Sequence, residues 1–115
     1  MAVVTLDETE VRIELSALEK LGAFRGSLAF PRGSIAGATV VASWRAVVEG
    51  VRAPGTGLPP FVLLGTWRGL GWKDFVAIYR GPLILVLELQ GQAFRRVLVS
   101  TEDADELCAR ILMPR

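Results

Sequence analysis

Apolar and polar residues alternate with a period of two along much of the chain, the pattern of half-buried β-strands. Residues 3–6 and 11–15 flank the polar connection Asp7-Glu8-Thr9-Glu10, which predicts a first hairpin over residues 3–15. Ser16-Ala17-Leu18-Glu19 then has the spacing of a capping box, and Gly22 supplies a stop. A helix of one or two turns follows from this, burying Leu18 and Leu21. Residues 27–30 and 35–42 read as two strands about a Pro31-Arg32-Gly33-Ser34 turn. Residues 43–49 fit either period, and residues 50–60, with three prolines and three glycines, read as irregular.

The second half is more regular. Residues 61–66, 72–79, 83–89 and 93–99 are strand-like runs separated by turn compositions at 67–71, 80–82 and 90–92. Such spacing predicts a continuous antiparallel meander. Leu83–Leu89 does not alternate, which implies burial on both faces, one on the core and the other on a partner or a further layer. Beyond it, Ser100 or Thr101 is placed to cap a last helix over residues 102–112. Ala104, Leu107, Cys108, Ile111 and Leu112 form one apolar stripe on that helix, suited to closing the open side of a curved sheet. The fold expected is mainly β: about seven antiparallel strands in one domain over residues 1–115, closed into a barrel and capped by a C-terminal helix.

Composition removes whole classes of chemistry. The chain has no histidine, which excludes Ser-His-Asp and Cys-His catalysis and most zinc sites. A single cysteine, Cys108, forbids an internal disulfide and a thiolate metal cluster. It sits on the apolar stripe and is expected to be a buried, inert thiol. With no basic-then-apolar leader, and with no apolar run longer than Leu83–Leu87, the expectation is a soluble, cytoplasmic protein. Apolar residues make up 51% of a small chain, a surplus that fits an interface. Net charge is +1 but unevenly spread: −3 over residues 1–20, +6 over 21–100 and −2 over 101–115.

Four stretches carry a family resemblance: residues 15–25 (LSALEKLGAFR), residues 52–59 (RAPGTGLP), residues 64–68 (LGTWR) with Phe75, and residues 97–103 (VLVSTED). With the element order, they resemble a group of small uncharacterised bacterial proteins of pleckstrin-homology-like fold. That fold serves lipid, peptide and oligomer interfaces alike, so it implies a scaffold and no activity. Phosphoinositide-binding members use basic residues in the first hairpin loop. Here that loop is acidic (Asp7, Glu8, Glu10), which argues against that mode.

Gly65-Thr66-Trp67-Arg68-Gly69-Leu70-Gly71 is rich in glycine, but Trp72-Lys73-Asp74 follows it where a P-loop needs Lys-Ser/Thr and a helix. A tight hairpin is the better reading. The chain's near-zero net charge likewise argues against a single-stranded nucleic-acid site built on Trp44, Trp67 and Trp72. The expectation is a non-enzymatic interaction or assembly module, with self-association as one form of that assembly, and with no cofactor, metal or nucleic acid and no strong membrane signal. The alternative is a carrier of a small molecule or lipid, using the barrel mouth near residues 52–60 and 67–72. Any partner is expected at Arg52, Trp67, Arg68, Trp72 and Lys73. These join a long loop to a glycine-rich hairpin carrying the residue types that dominate interfaces.

Overall fold

The computed structural model describes residues 2–23, 26–58 and 62–113, with the backbone alone for 21–23, 51–58 and 62. Strands β1 (Val3–Leu6), β2 (Glu10–Glu14) and β3 (Leu28–Pro31) form an antiparallel three-stranded sheet in that order. Helix α1 (Ala17–Ala23) interrupts it. The first hairpin is as the alternation predicts. Its turn is organised by Asp7, whose Oδ1 accepts from the Thr9 and Glu10 N–H groups at 2.7 and 2.8 Å. Val11 and Ile13 point into the core, and Arg12 and Glu14 point out.

The capping box at the start of α1 is realised in both directions. The Ser16 N–H donates to Glu19 Oε1 at 2.9 Å, and the Glu19 N–H donates to Ser16 Oγ at 3.1 Å. What the helix buries differs from expectation at Leu18, which is 81% exposed, whereas Glu19 is buried; the Leu21 side chain lies outside the described residues. Burial of this carboxylate is compensated by the Tyr79 hydroxyl, which donates to Glu19 Oε2 at 2.6 Å.

The larger sheet comprises β4 (Ile35–Val41), β5 (Val51–Leu58), β6 (Val62–Gly69), β7 (Trp72–Tyr79), β8 (Ile84–Leu89) and β9 (Arg96–Ser100), in the order β4-β8-β9-β7-β6-β5. This corrects the expected meander. Strands β7 and β8 are not neighbours; β9 lies between them, antiparallel to β8 and parallel to β7. The physical reason is visible in β9, where Val97, Leu98 and Val99 are all fully buried. A strand apolar on both faces gains most in the middle of a sheet. Here β8 acts as the crossover that returns the chain for a parallel pairing.

A second correction concerns residues 50–60: Val51–Leu58 is strand β5, paired with β6 at the sheet's edge. Its register shifts between Arg52 and Gly55, the interval that holds Ala53-Pro54. Proline is tolerated at such an edge irregularity, so composition alone misread the stretch. Residues 43–49 hold a short 3₁₀ turn, Trp44–Ala46.

The two sheets do not close into a barrel; they pack as layers around two apolar clusters. In the first, Phe75, Ala77, Leu85, Leu87, Val97 and Val99 meet the three-stranded sheet and helix α2 (Ala104–Leu112). In the second, Leu63, Trp67, Val76, Ile78, Ile84, Val86 and Leu98 are covered by Val41, Trp44, Val47 and Val48. Leu83–Leu89 is thus buried on both faces from Ile84 to Leu87, and the chain's own segment covers the second face. No partner is required there.

Helix α2 begins later than predicted. Asp103 occupies the N-cap position without a side-chain cap bond, while Ser100 lies in β9, its Oγ bound to the Tyr79 backbone. Ala104 and Leu107 are buried, Cys108 and Ile111 are half-buried, and Leu112 is exposed. Arg32, between β3 and β4, ties the layers together. It donates to the Asp7 carbonyl at 3.2 Å and, at 2.5 Å, to the Arg110 carbonyl in the last turn of α2.

Candidate functional site

Strand β6 continues through Trp67 and Arg68 to Gly69, so the turn into β7 is only Leu70-Gly71, with Gly71 at φ +78°. That is a two-residue hairpin of the kind glycine permits. Leu70 stands at its tip, 100% exposed. Register places Arg68 directly opposite Lys73, with Gly69 opposite Trp72.

The tip is stiffened from below. A Cβ at Gly69 would overlap the Trp72 indole, and one at Gly50 would meet both the Arg68 carbonyl and the same indole. Two glycines therefore make the seat on which Trp72 lies. The Arg95 guanidinium stacks on that indole, 3.8 Å from the ring centre.

Arg95 is held in turn by Asp74, which is 1% exposed and has two guanidiniums around it. Arg95 donates to its two oxygens at 3.1 and 2.8 Å, and Arg96 donates to Oδ2 at 3.0 and 2.7 Å. Pairing with Asp74 pushes the Arg95 guanidinium above its ordinary value, so it remains charged. Both arginines also bind the segment over the second cluster. Arg95 donates to Glu49 at 2.9 Å, and Arg96 donates to the Val47 carbonyl at 2.7 Å. One buried carboxylate thus fixes the hairpin, the start of β9 and the 44–49 cover.

The five predicted residues separate in this setting. Arg68, Trp72 and Lys73 come together around a shallow groove of about 370 Å³, completed by Gly69, Gly71 and Ala93. Lys73 lies over the Phe94 ring at 5.0 Å. Trp67 is elsewhere: it points into the second cluster and is 6% exposed. Trp67 alternates with Arg68 along β6, and its face of the sheet carries Val76 and Ile78. Arg52 pairs with Trp67 in backbone register on β5, and its side chain lies outside the described residues.

Sequence reasoning missed Asp74, Arg95, Arg96 and Leu70. A signal existed for the first three. Asp74 shares an inward alternation with Val76 and Ile78, and a carboxylate on a buried face demands cations. Arg95-Arg96 is the one dibasic pair in the chain.

Beside the groove, across Ala93, lies a second recess of about 170 Å³ lined by Leu28, Ala29, Phe30, Leu89, Gln92, Ala93, Phe94 and Val97. It is the open seam between β3 and the 92–97 segment. A further recess of about 150 Å³ lies between Trp44 and the β7–β8 turn. Among the described residues no group of three His, Cys, Asp or Glu is placed to hold a metal ion, and no helix is long and apolar enough to cross a membrane. Compared with protein-family profiles, curated proteins and solved structures, the chain matches none.

Proposed function

We propose that the chain is a non-enzymatic interaction or assembly module on a pleckstrin-homology-like scaffold, and that the β6–β7 hairpin is its contact surface. For the scaffold, the support is two packed sheets with a C-terminal helix docked on them, together with the four resembling stretches. The parallel β7–β9 pair departs from an all-antiparallel arrangement.

The observation that carries the function is the hairpin tip. A wholly exposed leucine stands at the tip of a two-residue turn, beyond the cross-strand pair Arg68 and Lys73 and over a network that fixes the base of the hairpin. Exposed apolar side chains on a preorganised loop favour binding, since little entropy is lost on docking. The buried ionisable groups are already engaged in structure: Asp74 with two arginines, and Glu19 with Tyr79 and the Ser16 cap. The carrier reading needs a deep cavity of ~300–1,000 Å³. The groove at Arg68, Trp72 and Lys73 reaches about 370 Å³ but is shallow and open with two cations in its lining, and the more apolar recesses hold only about 150 and 170 Å³, which supports a docking surface instead.

The reading is tested by a photo-crosslinking residue at position 70 in cells, with positions 18 and 112 as exposed apolar controls. A discrete protein adduct from 70 and none from the controls is expected. Equal adduct yields from all three positions contradict the proposal.

A further inference from the structure

The second apolar face of the large sheet is covered by a thin piece of chain. Strands β4 and β5 follow one another in sequence yet lie at opposite edges of the sheet, so residues 42–50 cross its whole width. Strands are spaced by ~4.8 Å, which makes the crossing of six strands ~24 Å. Nine residues reach at most ~30 Å. The crossing is therefore a strap, one chain thick, that seats Trp44, Val47 and Val48 on the second cluster.

The strap is not attached as a strand would be. Among the described residues, its backbone N–H groups bond within the strap itself. Ala46 donates to the Ser43 carbonyl at 3.2 Å, and Val47 and Val48 donate to the Trp44 carbonyl at 3.1 and 2.9 Å. Its polar ties to the sheet gather at one end. Arg96 donates to the Val47 carbonyl at 2.7 Å, and Glu49 Oε1 lies 2.9 and 3.1 Å from the Arg95 and Arg96 guanidiniums. At the other end, Trp44 borders the 150 Å³ recess, whose lining includes Leu63, Ile78 and Ile84 of the same cluster. The cover is tied at Val47 and Glu49 and unsealed at Trp44.

The bonds of the two arginines fall into two sets. Those to Asp74 lie wholly within the sheet, between β7 and the start of β9, and survive if the strap lifts. Those to the strap end on a backbone carbonyl and on Glu49, whose side chain is 57% exposed and returns to water at small cost. Lifting the strap thus strands no buried charge, which is the large penalty in breaking such networks. The 3₁₀ turn at Trp44–Ala46 stores the slack, since its residues lengthen from a rise of ~2.0 Å to ~3.3 Å when it unwinds.

We propose that residues 42–50 are a lid. It opens as a unit while the rest of the protein stays folded, and it uncovers the apolar face of β6–β9, with the Glu49 ion pairs to Arg95 and Arg96 as its latch. Such opening belongs to the sub-global class that native proteins undergo. The proposal stands apart from what the β6–β7 hairpin binds, although Arg95, stacked on Trp72, serves both the latch and the base of the hairpin.

The test compares the two faces of β8. Leu85 and Val86 are neighbours in sequence and both buried, Leu85 in the first cluster and Val86 in the second, under the lid. With Cys108→Ser removing the native thiol, Val86→Cys and Leu85→Cys place one thiol on either face. Iodoacetamide under native conditions is expected to label position 86 about tenfold faster than position 85 or more, because lid opening reaches one face alone. Glu49→Gln is expected to speed labelling at 86 about two- to fivefold, the range of an exposed ion pair, and to leave 85 unchanged. Salt at about 0.5 M should do the same to the protein with Glu49 and add nothing to Glu49→Gln. Equal rates at 85 and 86 overturn the lid, since unfolding of the whole domain is then the common route. A rate at 86 that neither Glu49→Gln nor salt moves overturns the latch. Amide exchange on the unsubstituted protein decides the matter without the thiols: Val47 and Val48 are expected to exchange faster than Leu98 and Val99, and equal protection overturns the proposal.

Discussion

Replacing Asp74 by asparagine keeps the shape of the side chain and removes the charge that holds two guanidiniums. The wild-type carboxylate is 1% exposed and accepts four hydrogen bonds of 2.7–3.1 Å from Arg95 and Arg96. Breaking a buried pair costs ~3–5 kcal/mol because the remaining charge is left uncompensated. The two partners do not suffer equally. The Arg95 side chain is 37% exposed and can rehydrate, whereas Arg96 is 13% exposed and cannot do so without moving. The cost therefore falls at the lower end, about 3 kcal/mol. An unfolding entropy of ~2.1 cal/mol/K per residue gives about 240 cal/mol/K for this chain, so the melting temperature should fall by ~12 °C. Calorimetry and urea titration measure both quantities. A second variant, Asp74→Asn with Arg96→Met, should recover part of the loss by removing the stranded charge. A loss below 1 kcal/mol for the single variant would refute the reasoning, because it would mean that water already serves these groups.

Leu107→Ala should cost ~2–5 kcal/mol in chemical denaturation, since Leu107 is buried in the first cluster under α2. A change under half a kcal/mol would mean that the helix contributes nothing to the core. Burial and the Glu19 contact push the Tyr79 hydroxyl well above the ordinary tyrosine value near ~10. Above that pH the unfolded chain releases a proton that the folded chain retains, so stability should fall as pH rises through 10. Tyr79 is the sole tyrosine, so tyrosinate absorbance follows it directly, and Tyr79→Phe should remove this slope. Burial and the nearby Asp105 carboxylate likewise raise the Cys108 thiol. Iodoacetamide should therefore modify the native protein at pH 8 much more slowly than the chain in denaturant, and equal rates would contradict the packing of α2.

What could be read from the sequence depended on whether local patterning or long-range pairing decided the matter. The β1–β2 hairpin, the α1 capping box and the α2 stripe are local, and each formed with shifts of a residue or two at its ends. Strand order was not legible. The unbroken apolar runs in residues 83–87 and 97–99 state which residues are buried, and they are silent on whether β9 lies beside β8 alone or between β8 and β7. Strand β5 was hidden by Pro54 and its glycines, which an edge strand with a register shift accommodates. Within the site, Arg68, Trp72 and Lys73 followed from one hairpin. Arg95, which stacks on Trp72 from twenty-three residues further on, depended on the unread β7–β9 pairing.

A dilution series of amide NMR spectra tests most directly the claim that the β6–β7 rim is the surface through which the chain assembles with itself. Between about 20 and 800 μM, the account predicts that the Gly69, Leu70 and Gly71 amides shift with concentration, together with Ala93. All should reverse on adding salt or in Leu70→Asp. Shifts confined to the β4 edge or to the 44–48 cover, or a spectrum unchanged across the range, would contradict it.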